Sequence, residues 1–218
     1  MKKHIVCLGD SNTHGYCADV NDCADGKLQR FNEDERWTKL LQQKLGDEYL
    51  VIEEGLSGRT TVFDDPLTEG LAAFSYITPC LKSHEPVSLL VIMLGTNDTK
   101  ERFGSNATCI SLGMERLVKK AQSTDCWGIN GKPNILVVCP PPIDIRMESS
   151  PVGGCMGAGC AVKSQELAPL YQDVARRNGC YFFDAKDCEF NQIDFMHLTS
   201  NGHKQLAQGL FETISEII

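Results

Sequence analysis

Short apolar runs alternate along the chain with longer segments of helical periodicity. The runs are rich in Val, Ile, Leu and Phe and lie at residues 4–8, 49–53, 88–94, 134–139 and 180–184. None of them alternates strictly between apolar and polar positions, which is typical of strands that are buried on both faces of a sheet. The pattern therefore predicts five buried, mostly parallel strands.

The intervening segments predict helices. The clearest begins at Asn32, ends before Gly46 and carries its large apolar side chains on one face, namely Trp37, Leu40, Leu41 and Leu45. Residues 69–83, 106–122, 163–178 and the stretch from Ser200 onward also suit helices. Regular alternation of strand and helix predicts an α/β fold, a three-layer α/β/α sandwich around a five-stranded sheet. With 218 residues, the chain most simply forms one domain, 1–218.

One long segment, from Pro140 to Cys160, fits neither pattern. It contains Pro-Pro-Pro, Ser-Ser-Pro and Gly-Gly-Cys-Met-Gly-Ala-Gly, and it starts where the fourth predicted strand ends. An irregular loop of about twenty residues in a compact domain usually has a functional role. We interpret residues 140–160 as a candidate lid or assembly loop.

Composition and charge narrow the classes of function. The net charge is −8, and Lys and Arg are not clustered, which argues against binding to nucleic acid or to an anionic membrane. The apolar run after Met1 is too short for a secretory signal, and no apolar stretch reaches the roughly 20 residues that span a bilayer. We therefore expect a cytoplasmic protein that acts on a small molecule.

The eleven cysteines are an odd number, so they cannot all pair with one another. Cys7, Cys139 and Cys180 fall within apolar strand patterns, where a thiol behaves as a small apolar side chain. Cys155 and Cys160 have neither a second cysteine pair nor a histidine nearby, so a metal site there is disfavoured. Most of these cysteines are expected to be reduced, and no metal or cofactor is expected.

Polar residues that could take part in catalysis or binding follow the first three predicted strands. Ser11 lies in Gly-Asp-Ser-Asn after the first strand, Gly58 follows the second, and Asn97 lies in Gly-Thr-Asn-Asp after the third. Parallel strands bring their carboxyl ends to one edge of the sheet, where ligands bind. The N–H groups of Ser11 and Gly58 and the amide of Asn97 would make three donors for an oxyanion. Taken alone, Gly-Asp-Ser is also common turn chemistry.

A carboxylate and an imidazole stand three residues apart near the other end of the chain. In Asp-Phe-Met-His, one short turn can bring Asp194 against Nδ1 of His197 and leave Nε2 free to face a serine. The same spacing also suits a metal pair or a helix cap. No further ligands stand at a useful spacing, which disfavours the metal.

A second serine, an aspartate and four further histidines could also contribute to this site. Ser57 in Gly-Leu-Ser-Gly-Arg lacks the second glycine of a nucleophile elbow, so we interpret it as structural. Asp10 is expected to support the nucleophile turn, and His14 is close enough in sequence to line a pocket. The remaining histidines, His4, His84 and His203, are interpreted as surface or cap residues.

The four blocks that carry Ser11, Gly58, Asn97 and the Asp194–His197 pair resemble the SGNH (GDSL-like) hydrolase superfamily in residue type, order and spacing. The resemblance spans nearly the whole chain. It implies a flavodoxin-like SGNH hydrolase fold, a catalytic triad of Ser11, His197 and Asp194, an oxyanion hole of Ser11, Gly58 and Asn97, and no cofactor.

The sequence Gly-Leu-Ser-Gly-Arg-Thr-Thr, followed by Asp-Asp-Pro, is further similar to the arylesterase and acetyl-xylan-esterase branch. That similarity implies hydrolysis of short acyl esters, acyl transfer or perhydrolysis as a further activity, and assembly into a homo-oligomer. It also places Asn12 and Arg59 among the supporting or pocket residues. Asn12 departs from the name-giving pattern, which has Leu at this position.

The predicted function is that of a serine esterase for acetyl-type esters, with carbohydrate esters among the candidates. A lysophospholipase or thioesterase of the same superfamily is the alternative. Two other classes remain open, a flavodoxin-like redox or nucleotide-binding protein and a noncatalytic binding relative. No Gly-x-Gly-x-x-Gly or Walker loop follows the first strand, and a binding module has no use for the complete set of catalytic groups.

Overall fold

A five-stranded sheet forms the centre of the protein. The computed structural model describes residues 1–26, 29–128 and 130–218. The strands are β1 Lys3–Gly9, β2 Tyr49–Gly55, β3 Val87–Met93, β4 Ile135–Cys139 and β5 Tyr181–Asp184. Their order in the sheet is β2-β1-β3-β4-β5, and every ladder is parallel. The predicted α/β fold and its five strands are confirmed.

Helices connect the strands and cover the sheet. Their bounds are α1 Ser11–His14, α2 Trp37–Leu45, α3 Ala73–Ser83, α4 Ala107–Gln122, α5 Gly153–Met156, α6 Cys160–Gln165, α7 Leu167–Arg177 and α8 Ser200–Ile217. Short 3-10 turns occupy Asn97–Thr99, Glu101–Phe103 and Ile145–Ser149. Within the described ranges, none of the helices combines the length and apolar character needed to cross a membrane.

The side chains of each strand alternate between two apolar cores. Val6 and Leu8 of β1 pack with α3, α4 and α7, whereas Ile5 and Cys7 pack with α2 and α8. Because both faces of β1 are covered, its sequence is continuously apolar and does not alternate. These helical layers and the sheet make the three-layer sandwich that the periodicity predicts.

The start predicted for helix α2, at Asn32, was wrong. It begins at Trp37 because residues 32–36 close a turn of their own: Asn32 Oδ1 accepts the N–H of Asp34 at 2.9 Å, and Glu35 Oε2 accepts the N–H of Asn32 at 3.2 Å. The bond within Asn32–Asp34 is an Asx turn, which competes with a regular first turn of helix. Similarly, α3 begins at Ala73 and not at residue 69, since Gly70 has a left-handed φ of 77°.

The segment 140–160 is not structureless. It contains the 3-10 turn Ile145–Ser149 and helix α5, and α6 starts at its end. Its apolar side chains form a separate small cluster with Met196, which precedes His197. The segment therefore folds back over the carboxyl edge of the sheet.

The order of the strands determines where a ligand can bind. From β1 the chain continues to β2 on one side, and β3 then lies on the other side of β1. Such a switch point opens a crevice at the carboxyl ends of the two diverging strands. The residues that follow β1 and β3 include Ser11 and Asn97, so the fold brings both to this crevice.

Candidate active site

Ser11, His197 and Asp194 form a continuous hydrogen-bonded chain. The Nε2 atom of His197 lies 2.8 Å from Ser11 Oγ, and Nδ1 lies 2.7 Å from Asp194 Oδ2. When Nδ1–H donates to the carboxylate, Nε2 accepts the serine hydroxyl, as nucleophilic catalysis requires. Ser11 is 6% exposed, so its hydroxyl reaches solvent only through the crevice.

Local structure explains the position of the serine. Asp10 caps α1 by accepting the N–H of Asn12 at 3.0 Å, which places Ser11 as the first residue of that helix. A Cβ on Gly9 would lie 1.9 Å from Thr13 Oγ1, so only glycine lets α1 pack this close to β1. The result is a sharp turn that presents the Ser11 side chain at the end of the strand.

The Asp194 carboxylate is held in its ionised form. Burial alone would raise its pKa, but hydrogen bonds from the His197 side chain and N–H and from Asn191, together with the charge of His197, lower it below 3.8. Its Oδ1 atom accepts the N–H groups of Met196 and His197 at 3.1 and 3.0 Å. A carboxylate with these partners can orient the imidazole and stabilise its positive charge.

Asn191 organises the turn from Asp194 to His197. Its Nδ2 donates to Asp194 Oδ1 and to the His197 carbonyl, each at 2.8 Å, and its Oδ1 accepts the N–H groups of Ile193 and Asp194. The side chain is buried. Asn191 was not among the residues predicted from the sequence, although an Asn three positions before the Asp is a recognisable signal for an Asx turn.

The proposed oxyanion donors lie around the same cavity as Ser11. Gly58 and Asn97 line it, and Gly58 has a left-handed φ of 88° that favours glycine. Among the described residues, the Gly58 N–H has no protein acceptor. Asn97 Nδ2 donates to the Arg59 carbonyl at 3.2 Å and lies 3.5 Å from Asp10 Oδ2. The long contact with Asp10 leaves that amide hydrogen available to a substrate oxygen.

Asp10, Asn12 and Arg59 stand behind the cavity. Arg59 Nη1 donates to the carbonyls of Gly9, at 3.1 Å, and Glu54, which ties the loop after β2 to the nucleophile turn. Burial raises the pKa of Asp10 from 3.8 to about 6, against the lowering effects of the Asn12 N–H and of the charges on His197, Arg59 and Lys100. These positions suit support of the turn and not contact with substrate.

The cavity beside Ser11 has a volume of about 270 Å³. Besides the predicted residues, it is lined by Tyr16, Ser57, Lys100, Val152, Cys155, Met156 and Met196. The Tyr16 ring lies 4.6 Å from the His197 ring, centroid to centroid. Most of these further lining residues come from the 3-10 region after β3 and from the segment 140–160. The sequence did not predict the path of that segment.

Two expectations about histidines need correction. His14 is not among the described residues that line the cavity; it is the last residue of α1, and its carbonyl accepts Arg30 Nε at 2.8 Å. His203 is not a surface residue but is fully buried, and its Nδ1 accepts the N–H of Trp37, the first residue of α2, at 3.2 Å. Burial, with the charges of His197 and Arg36, lowers the pKa of His203 to about 3, so this imidazole is neutral.

One group of side chains within the described ranges has the composition of a metal site. The ligand atoms of Glu54, Cys80 and His84 all lie within 4.8 Å of one another. However, His84 Nε2 is already 2.7 Å from Glu54 Oε1, and the Tyr76 hydroxyl donates to Glu54 Oε2 at 2.9 Å. Burial raises the pKa of Cys80 to about 12, and a neutral thiol is a poor ligand. We interpret the group as a hydrogen-bond network between β2 and α3.

Comparison with known proteins places these features in context. The GDSL-like lipase/acylhydrolase family matches residues 7–205. A comparison with curated proteins found no match.

Solved structures resemble the whole chain. The aryl esterase of M. smegmatis is 37% identical, with a TM-score of 0.87 over 99% of this chain and 100% of that one. Est24, a carbohydrate acetylesterase from Sinorhizobium meliloti, is 35% identical, with a TM-score of 0.87 over 100% of both chains. A putative arylesterase from Agrobacterium tumefaciens is 31% identical, with a TM-score of 0.84 over 99% of this chain and 100% of that one.

Proposed function

Because the chain belongs to the GDSL-like lipase/acylhydrolase family and is a carboxylic ester hydrolase, we propose that it is a serine esterase for short-chain, acetyl-type esters, including acetylated carbohydrates. The observation that carries the proposal is the chain of contacts from Ser11 Oγ to His197 Nε2, at 2.8 Å, and from His197 Nδ1 to Asp194, at 2.7 Å. This arrangement supplies a nucleophile, its general base and the group that orients the base.

In the first half of the reaction, His197 Nε2 takes the Ser11 proton while Ser11 Oγ attacks the ester carbonyl. The developing oxyanion accepts hydrogen bonds from the N–H groups of Ser11 and Gly58 and from Asn97 Nδ2. As the first residue of α1, Ser11 has an N–H with no partner inside the helix. His197 then gives its proton to the departing alkoxide, and an acyl-enzyme remains on Ser11.

In the second half, water enters the position that the alcohol has left. His197 removes a proton from this water as the water oxygen attacks the acyl carbonyl, and the same three donors hold the second oxyanion. Collapse of this intermediate releases the carboxylic acid and returns the proton to Ser11 Oγ. Asp194 stays ionised throughout and stabilises the positive charge that His197 carries in each transition state.

The shape of the cavity supports a short acyl group. Its volume is about 270 Å³, and Val152, Met156 and Met196 from the folded-back segment and the His197 turn form part of its wall. The aryl esterase and carbohydrate acetylesterase among the similar structures support aryl and sugar esters as the alcohol part.

From the resemblance to the arylesterase and acetyl-xylan-esterase branch we also expect a homo-oligomer. Light scattering after size-exclusion chromatography measures the number of subunits.

The test is hydrolysis of p-nitrophenyl acetate, butyrate and octanoate by wild type, Ser11→Ala and Ser57→Ala, with circular dichroism to verify folding. We expect acetate to be the best substrate and turnover to be lost in Ser11→Ala. Turnover lost in Ser57→Ala but kept in Ser11→Ala would contradict the assignment of the nucleophile. Preference for octanoate would favour a lysophospholipase-type specificity instead.

The carbohydrate part of the proposal has its own readout. Acetate release from acetylated xylose is measured with the same variants. We expect release that depends on Ser11. Its absence, in an enzyme that hydrolyses p-nitrophenyl acetate through Ser11, would remove the sugar esters from the proposal and leave the esterase standing.

A further inference from the structure

One cation in the cavity has no role in the triad chemistry. Lys100 lies between the 3-10 turns Asn97–Thr99 and Glu101–Phe103, and it lines the cavity together with Ser11 and Asn97. The residue is only 4% exposed. An ammonium group this deeply buried usually has several strong partners, because its desolvation is costly.

The partner of Lys100 is already engaged by another cation. The ammonium group lies 3.5 Å from Asp65 Oδ2, which is a long contact for an ion pair. The same oxygen accepts Arg102 Nη2 at 2.9 Å and Nε at 3.3 Å. Across the described parts of the chain, the Lys100 ammonium group has no other hydrogen bond to a protein acceptor besides this long contact. At most one of its three N–H donors is directed to Asp65, so the others are available to a ligand.

Arg102, unlike the Lys100 ammonium group, donates short hydrogen bonds to protein acceptors. Its Nη1 donates to the Cys155 carbonyl at 2.8 Å, and its other donors hold Asp65. Arg102 does not line the cavity among the described residues. It balances the charge of Asp65 and connects the region after β3 with α5, so one net positive charge of the Asp65–Lys100–Arg102 group remains at Lys100.

We propose that the Lys100 ammonium group is a specificity determinant that selects esters bearing a carboxylate close to the reacting carbonyl, in either the alcohol or the acyl part. The inference rests on the proposed esterase function. Lys100 and the oxyanion donor Asn97 line one cavity, so a carboxylate that pairs with Lys100 holds the ester near Ser11. A charge-assisted hydrogen bond of this kind changes binding by about 10- to 100-fold.

Selectivity between charged and neutral partners of the same shape tests the proposal. For the alcohol part the pair is meta-acetoxybenzoate and meta-acetoxybenzamide; for the acyl part it is the p-nitrophenyl half-ester of glutarate and p-nitrophenyl glutaramate. The readout is the ratio of kcat/KM for the carboxylate over the amide, after subtraction of spontaneous hydrolysis. The pair with the larger ratio identifies the part of the ester that Lys100 contacts.

We expect wild type to prefer the carboxylate in at least one pair. Lys100→Met and Lys100→Gln should each lower the carboxylate-to-amide ratio of kcat/KM about tenfold or more. Lys100→Arg should retain part of the preference, and Arg102→Met, which leaves Asp65 to pair with Lys100, should lower the ratio without abolishing turnover of the amide. A wild-type ratio of one or less in both pairs, or an unchanged ratio in Lys100→Met, would overturn the proposal. Failure of the esterase function itself is distinguishable, because the neutral amides would then show no turnover that depends on Ser11.

Discussion

The side chain of Asn12 joins the nucleophile turn to the histidine turn: its Oδ1 atom accepts the N–H of Leu198 at 3.0 Å. The two residues are 186 positions apart in the sequence and neighbour Ser11 and His197, respectively. The Asn12 carbonyl also accepts Trp37 Nε1 at 3.1 Å, which fixes the turn to α2. The asparagine that replaces the leucine of the name-giving pattern therefore helps to hold the turns of Ser11 and His197 together.

Replacing Asn12 by Ala should lower both stability and turnover. The buried Leu198 N–H would lose its partner, which costs about 1–3 kcal/mol of unfolding free energy. The Ser11–His197 contact would lengthen, so we expect kcat to fall by about tenfold. Urea denaturation and p-nitrophenyl acetate kinetics measure the two effects. Asn201→Ala, at an exposed position on α8, is the matched control, and equal behaviour of the two variants would contradict the account.

Asn97→Ala should remove one oxyanion donor without unfolding the protein. Loss of a single such donor typically lowers kcat by about 10²–10³. We expect this decrease with KM changed much less, because the hydrogen bond strengthens only as the oxyanion forms. Steady-state kinetics together with circular dichroism check it. Near-normal turnover by a folded variant would show that Asn97 does not contact the oxyanion.

Asn191→Ala tests a positioning role. Without its amide, Asp194 and the His197 carbonyl each lose a hydrogen bond of 2.8 Å, and the imidazole loses its fixed orientation. We expect kcat to fall by between about 10- and 100-fold, with little change in KM because Asn191 does not line the described cavity. The control is Gln192→Ala, at the exposed neighbouring position. A variant that raises KM and leaves kcat unchanged would contradict the positioning role.

Asp98 gives the stability of the protein a defined pH dependence. This carboxyl is fully buried and accepts the N–H of Thr61 at 2.9 Å. Burial, with the charge of Asp10, raises its pKa from 3.8 to about 6, against hydrogen bonds from Thr61. Because the folded protein holds the proton more tightly than the unfolded chain, this group favours folding below about pH 4, and the contribution is lost as the pH rises through about 6.

Asp98→Asn removes this titration. We expect the difference in Tm, variant minus wild type, to rise between about pH 4 and pH 6 by on the order of 5 °C and then to level off. Differential scanning calorimetry across this range measures it, and the contributions of groups that do not interact with Asp98 cancel in the difference; Asp10, whose charge acts on Asp98, is replaced by Asn in both proteins of a second comparison. A Tm difference that does not vary with pH would show that Asp98 does not titrate in this window.

The sequence was informative where local chemistry determines the structure. Continuous apolar runs predicted the sheet, and short polar motifs at strand ends located Ser11, Gly58 and Asn97, because parallel strands must end at a common edge. The spacing of Asp194 and His197 predicted their contact, since one turn brings them together. Each of these inferences needs only a few consecutive residues and one rule of topology.

Contacts between distant loops were not predictable in this way. Met156 is 145 residues away from Ser11 in the chain and reaches the cavity only because the segment 140–160 folds back over the sheet edge. Lys100 follows a recognised motif, but nothing in the sequence shows that Arg102 takes the Asp65 carboxylate. His203 was misjudged for a related reason: helix periodicity does not reveal that Trp37 offers its N–H to a buried imidazole.

Covalent labelling of wild type and Ser11→Ala with a fluorophosphonate, followed by intact mass and peptide mapping, tests the central claim most directly. A serine that is activated by a histidine base attacks phosphorus and retains the phosphonyl group. The account predicts one phosphonyl group per wild-type chain, on Ser11, and none on Ser11→Ala. A label on Ser57, or equal labelling of both proteins, would contradict the assignment of Ser11 as the nucleophile.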